Sequence, residues 1–160
     1  LWLKRTSKQN IVIGGAAGAM PVLVGWAAVT NSLGWAPVVL FVVIFLWTPP
    51  HFWALAIRHA DDYKAAGVPM MPVVVSLERT VRSMTAYAVL LTFSTLVLVP
   101  VADLGWIYGV TALVFGVAFV IGAVRLGSDP SPKRSMRLFT FSITYVTAIF
   151  VALTADVLLR

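Results

Sequence analysis

Residues 106–124 read WIYGVTALVFGVAFVIGAV, nineteen positions without a charge. About 20 mostly apolar residues are needed to cross roughly 30 Å of hydrocarbon as a helix. The stretch lacks the alternating pattern of a membrane barrel strand. Backbone polar groups in lipid must be satisfied within their own segment, so the form implied is an α-helix. Working outward, Ile11 to Val29, Trp35 to Ile57, Met84 to Ala102 and Leu138 to Leu159 qualify in the same way. The reading is an all-α membrane protein, a single transmembrane domain of five helices over residues 1–160.

Composition agrees. Of 160 residues, 60% are hydrophobic and 11% charged, whereas a soluble domain carries about a quarter of its residues charged. The absence of cysteine excludes a disulfide, a thiolate nucleophile and a zinc–sulfur site. The net charge of +6 is not read as a nucleic-acid signal, because in a membrane protein the placement of charges matters more than their sum.

That placement is one-sided. Lys4, Arg5 and Lys8 precede the first stretch; Arg58, Lys64, Arg79 and Arg82 lie between the second and third; Arg125, Lys133, Arg134 and Arg137 lie between the fourth and fifth. Only Arg160 remains for the opposite face. The positive-inside rule assigns segments 1–10, 58–83 and 125–137 to the cytoplasm, with a bacterial plasma membrane as the expected location. The opposite turns, near Asn31 and Asp103, are short enough for antiparallel neighbours. The Arg58 to Ser83 connection is long, and loops beyond about 12–15 residues are usually functional or disordered. Its composition suits a segment folded over the mouth of the bundle. The chain opens on Leu1 within what reads as the end of a loop, with no signal peptide's apolar core and cleavage site. A part of a longer protein is expected.

The second stretch contains Trp47-Thr48-Pro49-Pro50-His51-Phe52-Trp53. Pro50 disfavours helical geometry at Pro49, and each proline removes a backbone donor. Either the helix breaks there, with Thr48 capping a new half-helix, or it kinks for packing alone. His51 is the one ionisable residue well inside a stretch; Asp156 lies near an end. Such a residue is a functional candidate by default, the plainer alternative being a single hydrogen bond to a neighbouring helix. At 100° per residue, His51, Leu55, Arg58 and Asp62 fall on one stripe if the helix continues into the loop.

Asp61-Asp62-Tyr63-Lys64 then sets two acids beside cations. Hard oxygens suit Mg²⁺, and Arg58 and Lys64 offer donors to phosphate oxygens. A solvated loop is the ordinary explanation of such a pair, and adjacent helical acids diverge too far to chelate one ion together. Gly14-Gly15-Ala16-Ala17-Gly18 reads as a face for close helix approach. Trp47, Phe52 and Trp53 read either as the wall of an apolar pocket able to face a cation or, for Trp53, as part of an interfacial belt.

Taken together, Leu3-Lys4-Arg5-Thr6, Gln9 to Gly15, Gly25-Trp26, Trp47 to Ile57, Asp61-Asp62-Tyr63 and Gly67 to Val73 resemble the protohaem IX farnesyltransferases, or haem O synthases, of the intramembrane aromatic-prenyltransferase superfamily. The resemblance covers roughly Leu1 to Val75; the later helices match in length and topology. It implies the last five helices of a nine-helix bundle with two aspartate-rich cytoplasmic loops that hold Mg²⁺ and the diphosphate of farnesyl diphosphate. Asp61 and Asp62 correspond to the acids of the second loop, and the first has no counterpart here, so the chain alone is expected to be inactive. The implied roles are metal binding for Asp61 and Asp62, diphosphate binding for Arg58 and Lys64, and catalysis or haem positioning for His51. Protohaem IX would be the acceptor and haem A synthase a downstream partner, with membrane lipid as solvent. Competing readings are a sister enzyme acting on a hydroxybenzoate, naphthoate or chlorophyllide, a transporter, and a purely structural subunit.

Overall fold

The computed structural model describes residues 5–159; Leu3 and Lys4 of the basic lead-in, and Arg160, lie outside the described residues. In chain order the helices are α1 (Asn10–Thr30), α2 (Trp35–Arg58), the short α3 (Ala60–Ala65) and α4 (Met71–Val74), α5 (Leu77–Val101), α6 (Trp106–Ser128) and α7 (Pro132–Leu158). All but α3 and α4 are long and apolar enough to cross a membrane, and no strand occurs among the described residues. The all-helical, five-span reading of the sequence is borne out.

Local chemistry sets the helix ends. The two turns on the weakly charged side pass through Asn31 (φ 51°) and Asp103 (φ 49°), both left-handed. Asn and Asp are the side-chain-bearing residues that tolerate that region best. On the basic side, the hydroxyls of Ser76 and Ser131 accept the N–H of Arg79 and Arg134, capping α5 and α7. Pro132, at the start of α7, loses nothing by lacking an N–H there. Helix α5 therefore begins at Leu77, ahead of the apolar stretch at Met84, with Glu78 and Arg82 paired at 3.0 Å on its exposed first turns.

Packing makes α2 the hub. It touches α1, α5 and α7, and carries α3 and α4 at its basic end; α5 packs on α6, and α6 on α7. Helices α2, α5, α6 and α7 thus close a four-helix ring, with α1 on the outside against α2 alone among the described helices. Half of the α2 span is buried (50%) but only 11% of α1. In lipid the helices gain little from hydrophobic transfer, so close packing and interhelical hydrogen bonds hold them together. At the α1–α2 contact a Cβ on Gly15 would sit 3.2 Å from the Thr48 side chain, a tight approach that glycine makes without displacing its neighbour. Gly14 and Gly18 face open space, which narrows the expected small-residue face to Gly15. In the ring, the Tyr145 hydroxyl donates to Thr95 Oγ1 at 3.1 Å and the Tyr108 hydroxyl to the Thr95 carbonyl at 3.2 Å. Bonds of this kind contribute about 0.6 kcal/mol each, and this pair joins α5, α6 and α7 at one buried point.

Of the two readings left open at Pro49-Pro50, the broken helix is not found. Helix α2 runs unbroken through Pro49 and Pro50, and Thr48 is no cap. Its hydroxyl instead donates back to the Ile44 carbonyl at 2.8 Å. Thr48, Pro49, Pro50 and His51 are all buried, so neighbouring helices enclose the segment that lacks two donors. The stripe from His51 to Asp62 also fails. Helix α2 ends at Arg58, His59 leaves helical geometry (φ −109°, ψ 31°), and Asp62 belongs to α3.

Candidate functional site

The site is built where α2 meets α7. His51 is 7% exposed, and its imidazole lies between two aromatic rings. Trp47, one turn earlier on α2, stacks on one side with centroids 4.2 Å apart and planes at 21°. Phe139 of α7 stacks at 4.5 Å and 24°. Phe52 meets the imidazole edge-on at 5.1 Å. His51 Nδ1 lies 2.6 Å from the Ser142 hydroxyl oxygen. The same hydroxyl is 2.6 Å from the Phe139 carbonyl. Trp47 Nε1–H donates to the Ser142 carbonyl at 2.8 Å. One residue of α7 therefore anchors two side chains of α2, one through its main chain and one through its side chain.

Above this pair, towards the basic loops, a groove of about 680 Å³ opens between the end of α2 and the start of α7. Arg58, Lys133 and Arg137 supply its charge, and Met136 and Phe141 its apolar wall. A second hollow of about 690 Å³ lies between α6 and α7, where Arg125, Arg134 and Arg137 surround Ile121 and Leu138. Arg134 there is engaged with Asp129 at 3.1 Å and with the Arg125 carbonyl at 3.0 Å. An apolar trough with a cationic rim suits an amphiphile with an anionic head.

The structure brings some of the sequence-derived candidates together and leaves others apart. His51 and Arg58 both meet α7. Asp61, Asp62 and Lys64 sit on α3, exposed, at the basic end of α2. Asp62 pairs with His59 at 2.9 Å. No group of three or more metal-ligating side chains occurs among the described residues. Sequence reasoning passed over Ser142, Phe139, Lys133 and Arg137 as site residues. Lys133 and Arg137 were visible only as loop charges, and nothing in a serine of an apolar helix signals a histidine partner 91 positions away.

Comparison with known proteins adds the following. The family model described as UbiA prenyltransferase family matches residues 1–152. A protoheme IX farnesyltransferase of Parafrankia sp. is 54% identical over 99% of this chain and 52% of its own length. The protein of that name from Gloeobacter violaceus is 54% identical over 98% of the chain and 52% of its own length. That from Mycolicibacterium smegmatis is 47% identical over 96% and 50%. The chain thus spans about half the length of the curated relatives it matches. No solved structure matches it.

Proposed function

The chain belongs to the UbiA prenyltransferase family, and we propose that within its whole protein it serves the transfer of a farnesyl group from farnesyl diphosphate to a vinyl group of protohaem IX, giving haem O. The observation that carries this reading is 54% identity, over 99% of the chain, to a protoheme IX farnesyltransferase. The geometry is compatible with it: an imidazole packed between aromatic rings, below a groove whose rim is cationic and whose wall is apolar.

In this reading the diphosphate head lies at the rim, among Arg58, Lys133 and Arg137, with Lys64 of α3 as a further donor, and the isoprenoid tail lies along the apolar wall of α7. The C–O bond of the donor breaks with its electron pair leaving on the diphosphate. The guanidinium and ammonium groups stabilise the charge that develops there, the kind of interaction that lowers a barrier rather than merely tightening binding. The allylic carbon takes the π electrons of the vinyl group, and water supplies the hydroxyl of the hydroxyethylfarnesyl product, releasing a proton. Trp47, Phe139 and Phe52 keep bulk water from the acceptor, and their ring faces suit a cationic intermediate. His51 acts on the haem.

Asp61 and Asp62 are hard, exposed oxygen donors, and Mg²⁺ usually takes one or two carboxylates together with substrate phosphates. The pair fits that role and falls short of a complete cage. Mg²⁺ held there would supply further neutralisation of the leaving diphosphate. The helix ends and connections that carry Arg58 to Arg82 and Arg125 to Arg137 belong on the cytoplasmic face of a bacterial plasma membrane. The product would pass to a haem A synthase.

The test joins this chain to the N-terminal half of the Parafrankia relative and supplies protohaem and farnesyl diphosphate, with Mg²⁺ or with chelator. Mass spectrometry should find haem carrying a hydroxyethylfarnesyl group only from the joined protein with Mg²⁺. It should find none from the chain alone or after chelation. No product from the joined protein with any divalent metal would overturn the assignment.

A further inference from the structure

The hydroxyl of Ser142 has a single hydrogen and two oxygen or nitrogen neighbours at 2.6 Å, the Phe139 carbonyl and His51 Nδ1. A carbonyl oxygen can only accept. Two oxygens at that separation are held together only by a hydrogen between them, so the hydroxyl hydrogen is directed to Phe139. Ser142 Oγ is then an acceptor towards His51, and Nδ1 must carry the hydrogen. In a neutral imidazole one ring nitrogen donates and the other accepts, so Nε2 is left with an exposed lone pair. Among the described residues no hydrogen bond reaches Nε2, although the residue is 93% buried by area, its remaining exposure being 7%.

Nε2 is not among the side-chain nitrogens and oxygens enclosed without a partner, so the ring edge that carries it keeps access while the surrounding structure holds it in a fixed plane. Trp47 and Phe139 clamp both faces of the imidazole, and Trp47 is itself tied to the main chain of Ser142. A ring clamped on its faces still offers its edge. That is the approach required by a metal ion at the centre of a flat macrocycle, because an axial imidazole stands perpendicular to the macrocycle plane. Histidines that ligate metals almost always donate their other ring N–H to an oxygen, which sets the tautomer and raises the basicity of the ligating nitrogen.

We propose that Ser142 is the positioning residue of His51, holding it as the Nδ1–H tautomer so that Nε2 takes the iron of protohaem as an axial ligand. The proposal rests on the haem reading given above and adds to it a ligand atom and the residue that prepares it. The relay Phe139 carbonyl–Ser142 hydroxyl–His51 Nδ1 lies wholly between α7 and α2.

The test uses the joined full-length protein in nanodiscs with protohaem and no farnesyl diphosphate, comparing the unsubstituted protein with His51→Ala, Ser142→Ala and Ser142→Thr. Ser142→Ala leaves the main-chain carbonyl that accepts from Trp47, so the α2–α7 anchor survives. Resonance Raman spectra of the ferrous form should show an iron–imidazole stretch that is lost in His51→Ala. In Ser142→Ala the band should move to lower frequency and haem affinity should fall about tenfold, and Ser142→Thr, which keeps a hydroxyl, should restore both. An unmoved band in Ser142→Ala, or a band that persists in His51→Ala, would overturn the proposal. Farnesyl transfer by a protein whose bound haem shows no iron–imidazole band would overturn it while leaving the function intact. Failure of the unsubstituted protein either to bind haem or to transfer farnesyl would remove the function and the proposal together.

Discussion

Among the described residues one imidazole and one acid are buried within the spans, and the structure treats them in opposite ways. Asp156, 1% exposed near the weakly charged end of α7, accepts the backbone N–H of Gly105 at the start of α6. A carboxylate at a helix N-terminus meets the positive end of the helix dipole and an N–H with no intrahelical partner. A Cβ on Gly105 would come within 3.0 Å of its Oδ1, so the turn brings main chain and acid together closely. His51, at the basic end of α2, satisfies Nδ1 on a side chain, packs both faces on aromatic rings and keeps Nε2 in reserve. Asp156 is fastened to backbone, whereas His51 is held by side chains. The identity of their partners separates the two as clearly as their depth.

Substitution can break that contrast. The largest effect is expected from His51→Ala, which should reduce farnesyl transfer per folded molecule of the joined protein about 100-fold, while its thermal unfolding midpoint falls only by what the lost Ser142 bond and ring packing contribute. Comparable losses in both measurements would make His51 a structural residue like Asp156. Asp156→Ala should do the reverse. It leaves the Gly105 N–H buried without an acceptor, at a cost of about 1–3 kcal/mol, read as a lowered unfolding midpoint with unchanged turnover per folded molecule. A turnover defect at full stability would place Asp156 in the chemistry after all. Arg137→Ala is the smallest of the three, because neighbouring cations remain in the groove. We expect KM for farnesyl diphosphate to rise up to about tenfold with kcat little changed; a fall in kcat alone would move Arg137 from binding the donor to acting on the reaction.

How much of this was legible in the sequence varies by residue. Five apolar stretches separated alternately by basic turns and turns without a basic residue pointed to the helices, because length against membrane thickness is a one-dimensional property. Helix α2 misled because Pro49 and Pro50 are breakers by local rules, while enclosure by neighbouring helices keeps the segment helical. The stripe to Asp62 failed for a local reason: the helix stops at His59, and the 100° periodicity stops with it. His51 was legible as a candidate because an ionisable residue deep in an apolar run is conspicuous. Ser142 was not, since serine is common in membrane helices and its importance comes from the neighbour that folding supplies. Lys133 and Arg137 looked like topology signals until α7 was seen to form a groove with the end of α2.

The buried knot of Tyr108, Tyr145 and Thr95 bears on permeability. All three residues are 0% exposed, flanked by Leu91, Leu98, Phe119 and Ile149, equally enclosed. A file of water molecules could not thread between α5, α6 and α7 at that level without parting those hydroxyls, so the three helices leave no aqueous path there.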